Sequence, residues 1–96
     1  MYPAAKAAVE AITRGLASEL ARYNINVNAI GPGMFMTDMV KHVTSDPAVG
    51  GNFLKAVPLR RYGEAREVGL LALYLASPAS DYMTGQTLYL DGGYSI

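Results

Sequence analysis

The chain has 96 residues, which allows one small domain at most. Its eight basic and eight acidic residues cancel and form no basic run, so a nucleic-acid partner is not expected. The absence of cysteine excludes disulfides and thiolate metal sites, and the sequence predicts no metal site of another kind.

Apolar residues make up 51% of the chain and charged residues 17%, which is unusually apolar for a domain this small. We therefore expect part of the apolar surface to be covered by a partner subunit or by a further part of the same protein. The longest apolar run, Leu70–Ala76, is too short to span a bilayer, and no signal peptide precedes the first helix. The expectation is a cytoplasmic protein without a membrane partner.

A first helix is predicted from Tyr2 to about Arg22, with Pro3 in the first turn, where proline is tolerated. Helical spacing gives this segment two non-polar faces. The face expected to lie against a core consists of Ala5, Val9, Ile12, Leu16 and Leu20. The other face is built of small residues: Ala4, Ala8, Ala11 and Gly15. Small residues let another helix approach closely, although the high helix propensity of alanine also explains them.

Residues 25–30 alternate with period two and predict a strand that ends at Gly31-Pro32-Gly33. A second helix is predicted from Glu64 to Ala76, and a short strand over Thr87–Leu90. Strand, helix and strand in this order form a βαβ unit, so the strands should be parallel with a right-handed crossover. Two parallel strands do not complete a sheet. The pattern therefore predicts an α/β fold, as the carboxyl-terminal part of a larger doubly wound domain.

The stretch from Met34 to Pro58 is predicted to be irregular, with short helical pieces. Thr37-Asp38 and Ser45-Asp46-Pro47 are typical helix starts. The stretch carries much apolar surface for a loop, at Met34, Phe35, Met36, Met39 and Phe53. We therefore expect residues 38–58 to form a mobile lid rather than a plain linker.

Tyr2 and Lys6 lie one turn apart on the predicted first helix, on a stripe that is otherwise mostly apolar. Burying an unpaired ammonium is costly, so either the helix end is open to water at Lys6 or the ammonium has a chemical role. A nearby ammonium lowers the pKa of a tyrosine toward the range in which a general acid–base works. Tyr2 and Lys6 are therefore candidate catalytic residues. The alternative is a helix-start tyrosine beside a lysine whose stem lies on apolar surface.

The segment Gly31–Thr37 follows the carboxyl end of the predicted first strand, which is where ligands bind in open α/β sheets. Its glycines allow a close approach to the backbone, and Thr37 offers a hydroxyl and a helix-start amide to a phosphate. An ordinary strand-to-helix turn with Thr37 as the N-cap is the other interpretation.

In their order, these features resemble the carboxyl-terminal part of a short-chain dehydrogenase/reductase over essentially all 96 residues. The matching features are Tyr2-x-x-x-Lys6 at a helix start, a strand leading into Pro32-Gly33, Thr37 after it, and Asp91-Gly92-Gly93 near the end. Stretches such as Pro32–Met39 further resemble gluconate 5-dehydrogenase-like members. The resemblance implies a Rossmann-type sheet and reversible, NAD- or NADP-dependent hydride transfer to or from a small secondary alcohol or ketone, sugar acids included.

The resemblance also implies residue roles. The tyrosine that matches Tyr2 exchanges a proton with the substrate, and the lysine that matches Lys6 binds the nicotinamide ribose and lowers the tyrosine pKa. The turn that matches Pro32–Thr37 contacts the nicotinamide and the pyrophosphate. The implied cofactor-binding set is Tyr2, Lys6, Pro32, Gly33, Phe35 and Thr37. In such proteins residues 38–58 would be the substrate lid, and the first helix would pack against its counterpart in a homodimer or tetramer.

The sequence departs from the family by lacking the glycine-rich turn G-x-x-x-G-x-G and the catalytic Ser and Asn that precede the tyrosine. We therefore expect the 96-residue chain alone to bind cofactor weakly and to be inactive. The rival interpretation is a non-catalytic interaction fragment, which would pair through the alanine-rich helix and an open sheet edge.

No catalytic role is predicted for His42, a lone histidine, or for the methionines, which are interpreted as adaptable packing. Arg60-Arg61 is interpreted as a solvated pair rather than as a ligand for a carboxylate or phosphate. Asp91-Gly92-Gly93 is interpreted as a turn, and Gly85 as part of the turn into the last strand.

Overall fold

The computed structural model describes residues 2–36 and 53–96. In chain order its elements are helix α1 (Tyr2–Leu20), strands β1 (Ala29–Pro32), β2 (Phe35–Met36) and β3 (Gly63–Glu64), helix α2 (Ala65–Ala76) and strand β4 (Thr87–Leu90). Short 3-10 helices follow the two α-helices, at Ala21–Tyr23 and Pro78–Ser80. Most of the predicted lid, with Thr37 and His42, lies outside the described residues. The remainder begins with a helical segment at residues 53–55.

The chain divides into two compact units. The first unit comprises Met1–Ile30 and Ala72–Leu88, and the second unit comprises Gly31–Leu71 and Tyr89–Ile96. The predicted catalytic pair belongs to the first unit, and the predicted cofactor turn belongs to the second.

Helix α1 begins and ends close to where the sequence predicts. Asn24 stops the helical path by adopting the left-handed conformation (φ 61°, ψ 37°), and its N–H donates to the carbonyl of Ala21. Asparagine tolerates this conformation better than most residues do, which is why helices commonly end at Asn or Gly.

The predicted core face of α1 is largely exposed, although Leu20, one of its five members, is half-buried. Val9, Ile12 and Leu16, expected against a core, are 51%, 61% and 42% exposed. The least exposed residues lie on a neighbouring stripe: Lys6, Glu10, Thr13, Ala17 and Leu20. Ala17 packs close to the turn at Gly85, where the nearest approach to an added Cβ is 3.5 Å. The predicted core face is open because no described element of the first unit covers it.

Strand β1 pairs with β4. The N–H of Ala29 donates to the carbonyl of Gln86 at 2.9 Å, and the N–H of Gly33 donates to that of Leu90 at 3.0 Å. The hydrogen bonds advance in the same direction on both strands, so the strands are parallel, as the βαβ pattern predicts.

The position predicted for the first strand was wrong, because β1 begins at Ala29 and continues through Gly31 and Pro32. The residues before Ala29 bond to the turn that precedes β4 instead of to a strand. The N–H of Val27 donates to Thr84 Oγ1 at 3.0 Å, and Asn28 Nδ2 donates to the carbonyl of Met83 at 3.0 Å. Period-two alternation therefore identified an extended segment but not where its ladder begins.

Gly31 is needed inside β1 because an aromatic ring lies against it. A Cβ at Gly31 would stand 2.5 Å from Cδ1 and 2.6 Å from Cε1 of Tyr89 in β4. Any side chain at this position would displace the ring or the strand.

The second unit contains a stack of three aromatic rings. The Phe53 ring lies 5.6 Å from that of Tyr62, at 4° between the planes, and 5.8 Å from that of Tyr94, at 20°. Such pairs add to the free energy of apolar burial. The stack fastens residues that follow the undescribed segment to the end of the chain.

Helix α2 begins with a capping arrangement built on Glu67. Its Oε1 accepts the N–H of Glu64 at 2.8 Å, from the third helical position back to the residue before the helix. The same carboxylate accepts from Arg61 twice, with Nη1–Oε1 at 2.9 Å and Nη2–Oε2 at 3.0 Å. The helix predicted from Glu64 to Ala76 is confirmed over Ala65–Ala76, and Glu64 belongs to β3 instead.

Arg60 and Arg61 are both exposed to solvent, as predicted, but each of them also binds a group of the same chain. Arg61 is held by Glu67, and Arg60 Nη1 donates to the carbonyls of Leu54 and Lys55. Both side chains remain exposed, yet each of them fastens one part of the second unit to another.

The Glu67 carboxylate has a strongly perturbed pKa. The hydrogen bond from Arg61, and then the one from the Glu64 N–H, lower the pKa of Glu67 from 4.5 to about 2. The same hydrogen bond raises the pKa of Arg61. A carboxyl whose pKa is lower in the folded state stabilises that state only while it is ionised.

We expect the stabilisation from Glu67 to be complete above pH 4.5 and to be lost as the pH falls toward 2. Denaturant unfolding across this range should show a steeper loss of stability in the wild type than in Glu67→Gln. Raising the salt concentration should narrow the difference, because Glu67 is partly exposed. Glu19→Gln, a change on the exposed surface of α1, serves as the control and should keep the wild-type slope. A Glu67→Gln variant with the wild-type slope would contradict the assignment.

We expect Gly31→Ala to lower the free energy of unfolding by about 1–3 kcal/mol, the usual cost of overpacking. Gly15→Ala is the matched control, since an added Cβ at Gly15 meets nothing within 4 Å in the described chain. That change should raise stability by about 0.5–1 kcal/mol, because alanine suits a helix better than glycine does. Urea titrations of the two variants measure both effects, and equal stability of the two would refute the packing argument.

Candidate functional site

The predicted catalytic pair lies at the start of α1. Tyr2 is the first residue of the helix, and Lys6 follows one turn later. Residues four apart on an α-helix are neighbours on its surface, so the backbone provides the spacing that a tyrosine–lysine pair requires. Lys6 is half-buried. A lysine at the edge of a site and a lysine whose stem lies on apolar surface would both show this partial burial.

The predicted cofactor turn lies at the carboxyl end of β1. Pro32, the last residue of the strand, is exposed, and Phe35 begins β2. Gly33 between them is half-buried, and its N–H donates to the carbonyl of Leu90. The structure therefore brings Pro32, Gly33 and Phe35 together at the end of a parallel strand pair. The part predicted for Thr37 lies outside the described residues.

Position 33 requires glycine because its backbone packs against Asp91 of the same chain. A Cβ at Gly33 would lie 2.7 Å from Cβ and 2.8 Å from Cα of Asp91. Asp91 is fixed in turn, because its Oδ1 accepts the N–H of Gly93 at 3.0 Å and its Oδ2 accepts that of Ser95 at 3.2 Å. Asp91-Gly92-Gly93 thus forms a turn, as predicted, and it is against this turn that the bare side of Gly33 lies.

Phe35 is held by a residue that the sequence analysis did not single out. Strands β2 and β3 pair in parallel, with Phe35 opposite Gly63 and Met36 opposite Glu64. The N–H of Gly63 donates to the carbonyl of Met34 at 3.0 Å. A Cβ at Gly63 would stand 2.5 Å from Cδ2 and 2.8 Å from Cζ of Phe35. The Phe35 ring therefore rests on bare backbone.

The capping role of Glu67 could have been recognised in the sequence. Glu64-Ala65-Arg66-Glu67 places a glutamate at the third helical position, where its side chain can reach back to the helix start. The partner role of Arg61 had no comparable signal, since it comes from a residue outside the helix. Nor did the contact between Gly63 and Phe35, which joins residues far apart in the sequence.

A cavity of about 70 Å³ lies beside Phe35. Its walls include Phe53, Val57 and the Arg61–Glu67 ion pair. A partly polar cavity of this size has room for ordered water.

A metal site and a membrane-spanning helix find no support in the part of the chain that the structure describes. Within residues 2–36 and 53–96, no group of three His, Cys, Asp or Glu side chains could hold a metal ion. Neither α-helix in these ranges has the length and apolar character needed to cross a bilayer.

Two solved structures with a similar arrangement of elements are oxidoreductases by name. One is a putative 2-deoxy-D-gluconate 3-dehydrogenase of Agrobacterium tumefaciens with bound NADP, at a TM-score of 0.87 and 38% identity. It is matched over 98% of this chain and 38% of its own. Another is a 3-oxoacyl-[acyl-carrier protein] reductase of Brucella melitensis, at a TM-score of 0.89 and 41% identity over 99% of this chain and 35% of its own. The predicted Rossmann-type α/β fold is confirmed.

Sequence comparison gives the same result. The 5-keto-D-gluconate 5-reductase of Escherichia coli K12 is 45% identical over 95 residues, which are 99% of this chain and 37% of that protein. The chain thus spans less than two fifths of the length of the curated relatives that it matches. The family model described as enoyl-(acyl carrier protein) reductase matches residues 1–95. On this match and these relatives, the chain belongs to the short-chain dehydrogenase/reductase family.

Proposed function

We propose that this chain supplies the catalytic tyrosine–lysine pair and the nicotinamide-binding turn of an NAD- or NADP-dependent oxidoreductase. The observation that carries the proposal is the family match over residues 1–95, which includes Tyr2 and Lys6 at a helix start. The exposed Pro32 at the carboxyl end of a parallel strand adds support, since cofactors bind at that edge of such sheets.

In the proposed reaction, Tyr2 is the proton donor and acceptor. Its hydroxyl donates a proton to the carbonyl oxygen of a ketone during reduction, and its phenolate takes that proton back from the alcohol during oxidation. The Lys6 ammonium favours the phenolate electrostatically and hydrogen-bonds to the nicotinamide ribose. The bound nicotinamide cofactor supplies or receives the hydride.

The turn at Pro32, Gly33 and Phe35, continuing to Thr37, orients the nicotinamide against the substrate. The fit of this chain to the cofactor is partial. The strand end and its turn suit the nicotinamide, whereas none of the 96 residues forms the glycine-rich turn that holds the pyrophosphate in this family. On its own the chain should therefore bind the cofactor weakly.

The substrate class that we propose is a small secondary alcohol or ketone, with sugar acids first. Support comes from the relatives named for 5-keto-D-gluconate and 2-dehydro-3-deoxy-D-gluconate, at 45% and 43% identity. The substrate lid at residues 38–58, the homo-oligomeric state of the whole protein and its cytoplasmic location stay predictions, as does the absence of nucleic-acid and membrane partners.

The proposal is tested by supplying the part that the relatives have and this chain lacks. The amino-terminal portion of the E. coli 5-keto-D-gluconate 5-reductase, fused ahead of Tyr2, should give an enzyme that reduces 5-keto-D-gluconate with NADH or NADPH. Tyr2→Phe should lower kcat at least about 100-fold, the usual contribution of a general acid. Tyr82→Phe is the matched control, because this ring is fully exposed.

The 96-residue chain alone should oxidise no NADH or NADPH above the level of its own Tyr2→Phe variant, with 5-keto-D-gluconate or with a panel of keto acids. A fused enzyme that melts cooperatively and yet keeps the same kcat after the Tyr2→Phe change would refute the assignment of Tyr2.

A second candidate function is that of a non-catalytic fragment that pairs with another copy of itself. The observation that favours it is the exposure of the apolar face of α1, where Ile12 is 61% exposed. The small-residue face is open as well, since nothing in the described chain lies within 4 Å of a Cβ at Gly15.

If this candidate is correct, the chain should sediment as a dimer at micromolar concentration, and Ile12→Lys should shift it to a monomer. Ser18→Lys, also on the exposed surface of α1, should leave the dimer intact. A wild-type chain that sediments as a monomer at all concentrations would exclude self-pairing.

A further inference from the structure

We propose that Gly63 is a positioning residue for the cofactor turn, where it fixes the place of Phe35, and that the Arg61–Glu67 ion pair fixes Gly63. The inference rests on the proposed function, which assigns Phe35 to that turn. The proposed function does not include these residues, which lie outside the turn and set its geometry.

Gly63 and Phe35 are in close contact. These residues face each other in the β2–β3 pair, and three ring atoms of Phe35 lie within 2.8 Å of where a Cβ on Gly63 would stand. Real Cβ contacts are essentially never this short. Only glycine therefore allows Phe35 its present position.

Gly63 is held in place by contacts of its neighbours in the chain. Strand β3 has two residues, too few to fix its place through the ladder alone. The Glu67 carboxylate compensates by accepting the N–H of Glu64 on one side of Gly63 and the Arg61 guanidinium on the other. Arg61 Nη1 also donates to the carbonyl of Tyr62 at 3.1 Å. One carboxylate thus ties together the residues on both sides of Gly63.

The cofactor turn is held at both of its ends. Its Gly33 end is fixed by the carbonyl of Leu90 and the backbone of Asp91. Its Phe35 end is fixed by Gly63, whose N–H also donates to the carbonyl of Met34. The direction of the backbone groups between the two ends therefore depends on Gly63 as well as on Gly33.

The test compares Gly63→Ala with Gly69→Ala in the 96-residue chain. Gly69 lies in α2, and an added Cβ there meets nothing within 4 Å. In ¹H–¹³C and ¹H–¹⁵N spectra, Gly63→Ala should displace the Phe35 ring and amide signals and the Met34 amide, whereas Gly69→Ala should leave them in place. Phe35 signals that move no further in Gly63→Ala than in Gly69→Ala would overturn the inference.

A second variant separates position from stability. Phe35→Leu removes the ring that an alanine at position 63 would strike, so the unfolding free energy lost by Gly63→Ala should be largely recovered in the Phe35→Leu background. Glu67→Gln keeps an oxygen for the Glu64 N–H and loses the charge that holds Arg61. It should broaden the Gly63 and Phe35 signals without moving the Asp91 signals.

The functional readout uses the fused reductase described above. Gly63→Ala should raise the KM for NADH or NADPH several-fold, with a smaller effect on the KM for 5-keto-D-gluconate, whereas Gly69→Ala should change neither. An unchanged cofactor KM in Gly63→Ala overturns the positioning role while the proposed function stands. An inactive wild-type fusion that is folded refutes the proposed function, and the Phe35 signals still decide whether Gly63 positions the ring.

Discussion

The organisation of the second unit depends on close contacts that only glycine permits. Gly31 lies under the Tyr89 ring, Gly33 against the backbone of Asp91, and Gly63 under the Phe35 ring. Each of these contacts joins one strand to a neighbour or to the turn after it. A side chain at any of the three would push apart elements that have few other hydrogen bonds to hold them, because the strands have four residues at most. Steric exclusion at these positions is therefore the constraint that shapes the candidate cofactor turn.

Charge supplements this packing at one place. The Glu67 carboxylate joins the start of α2 to Arg61 and the Glu64 backbone, and it does so on a partly exposed surface. Exposed ion pairs are usually weak, but the paired N–H donors of Arg61 match the two carboxylate oxygens and give this pair a fixed geometry. The ion pair therefore fixes the orientation of Arg61 relative to the start of α2.

The first unit has a different character, because its apolar surface is largely open. Ala17 is its only buried apolar residue among those the structure describes, whereas three large residues of α1 are well exposed. A domain gains most of its stability from buried apolar area. The exposed face of α1 and the partial length of the chain against its relatives agree with each other, since a parallel sheet is covered on both faces when complete.

Local patterns predicted much of this fold. The extent of α1, the extent of α2 to within one residue and the residues of β4 followed from sequence patterns that act within a few residues. The predictions that failed concern contacts between distant parts of the chain. Hydrophobic spacing located the apolar stripe Val9, Ile12 and Leu16, but burial depends on what covers a stripe. Alternation found the extended segment before Gly31, but its ladder begins where β4 is available to pair.

The site shows the same division. The spacing of Tyr2 and Lys6 and the Pro32-Gly33 turn are properties of short segments and could be recognised in the sequence. Glycines at such a turn suggest room for a ligand, whereas the bare side of Gly33 faces Asp91 of the same chain. The contribution of Gly63 could not be predicted, because it depends on a ring 28 positions earlier in the chain, at Phe35.

The last residues of the chain have a consequence for how it is handled. Asp91 keeps its place by accepting the N–H groups of Gly93 and Ser95, and Tyr94 stacks on Phe53. An exopeptidase that trims the carboxyl terminus would first free one oxygen of Asp91 and then uncover Phe53, and so loosen the support behind Gly33. Ile96 is almost fully exposed, so a purification tag added after it would leave these contacts intact.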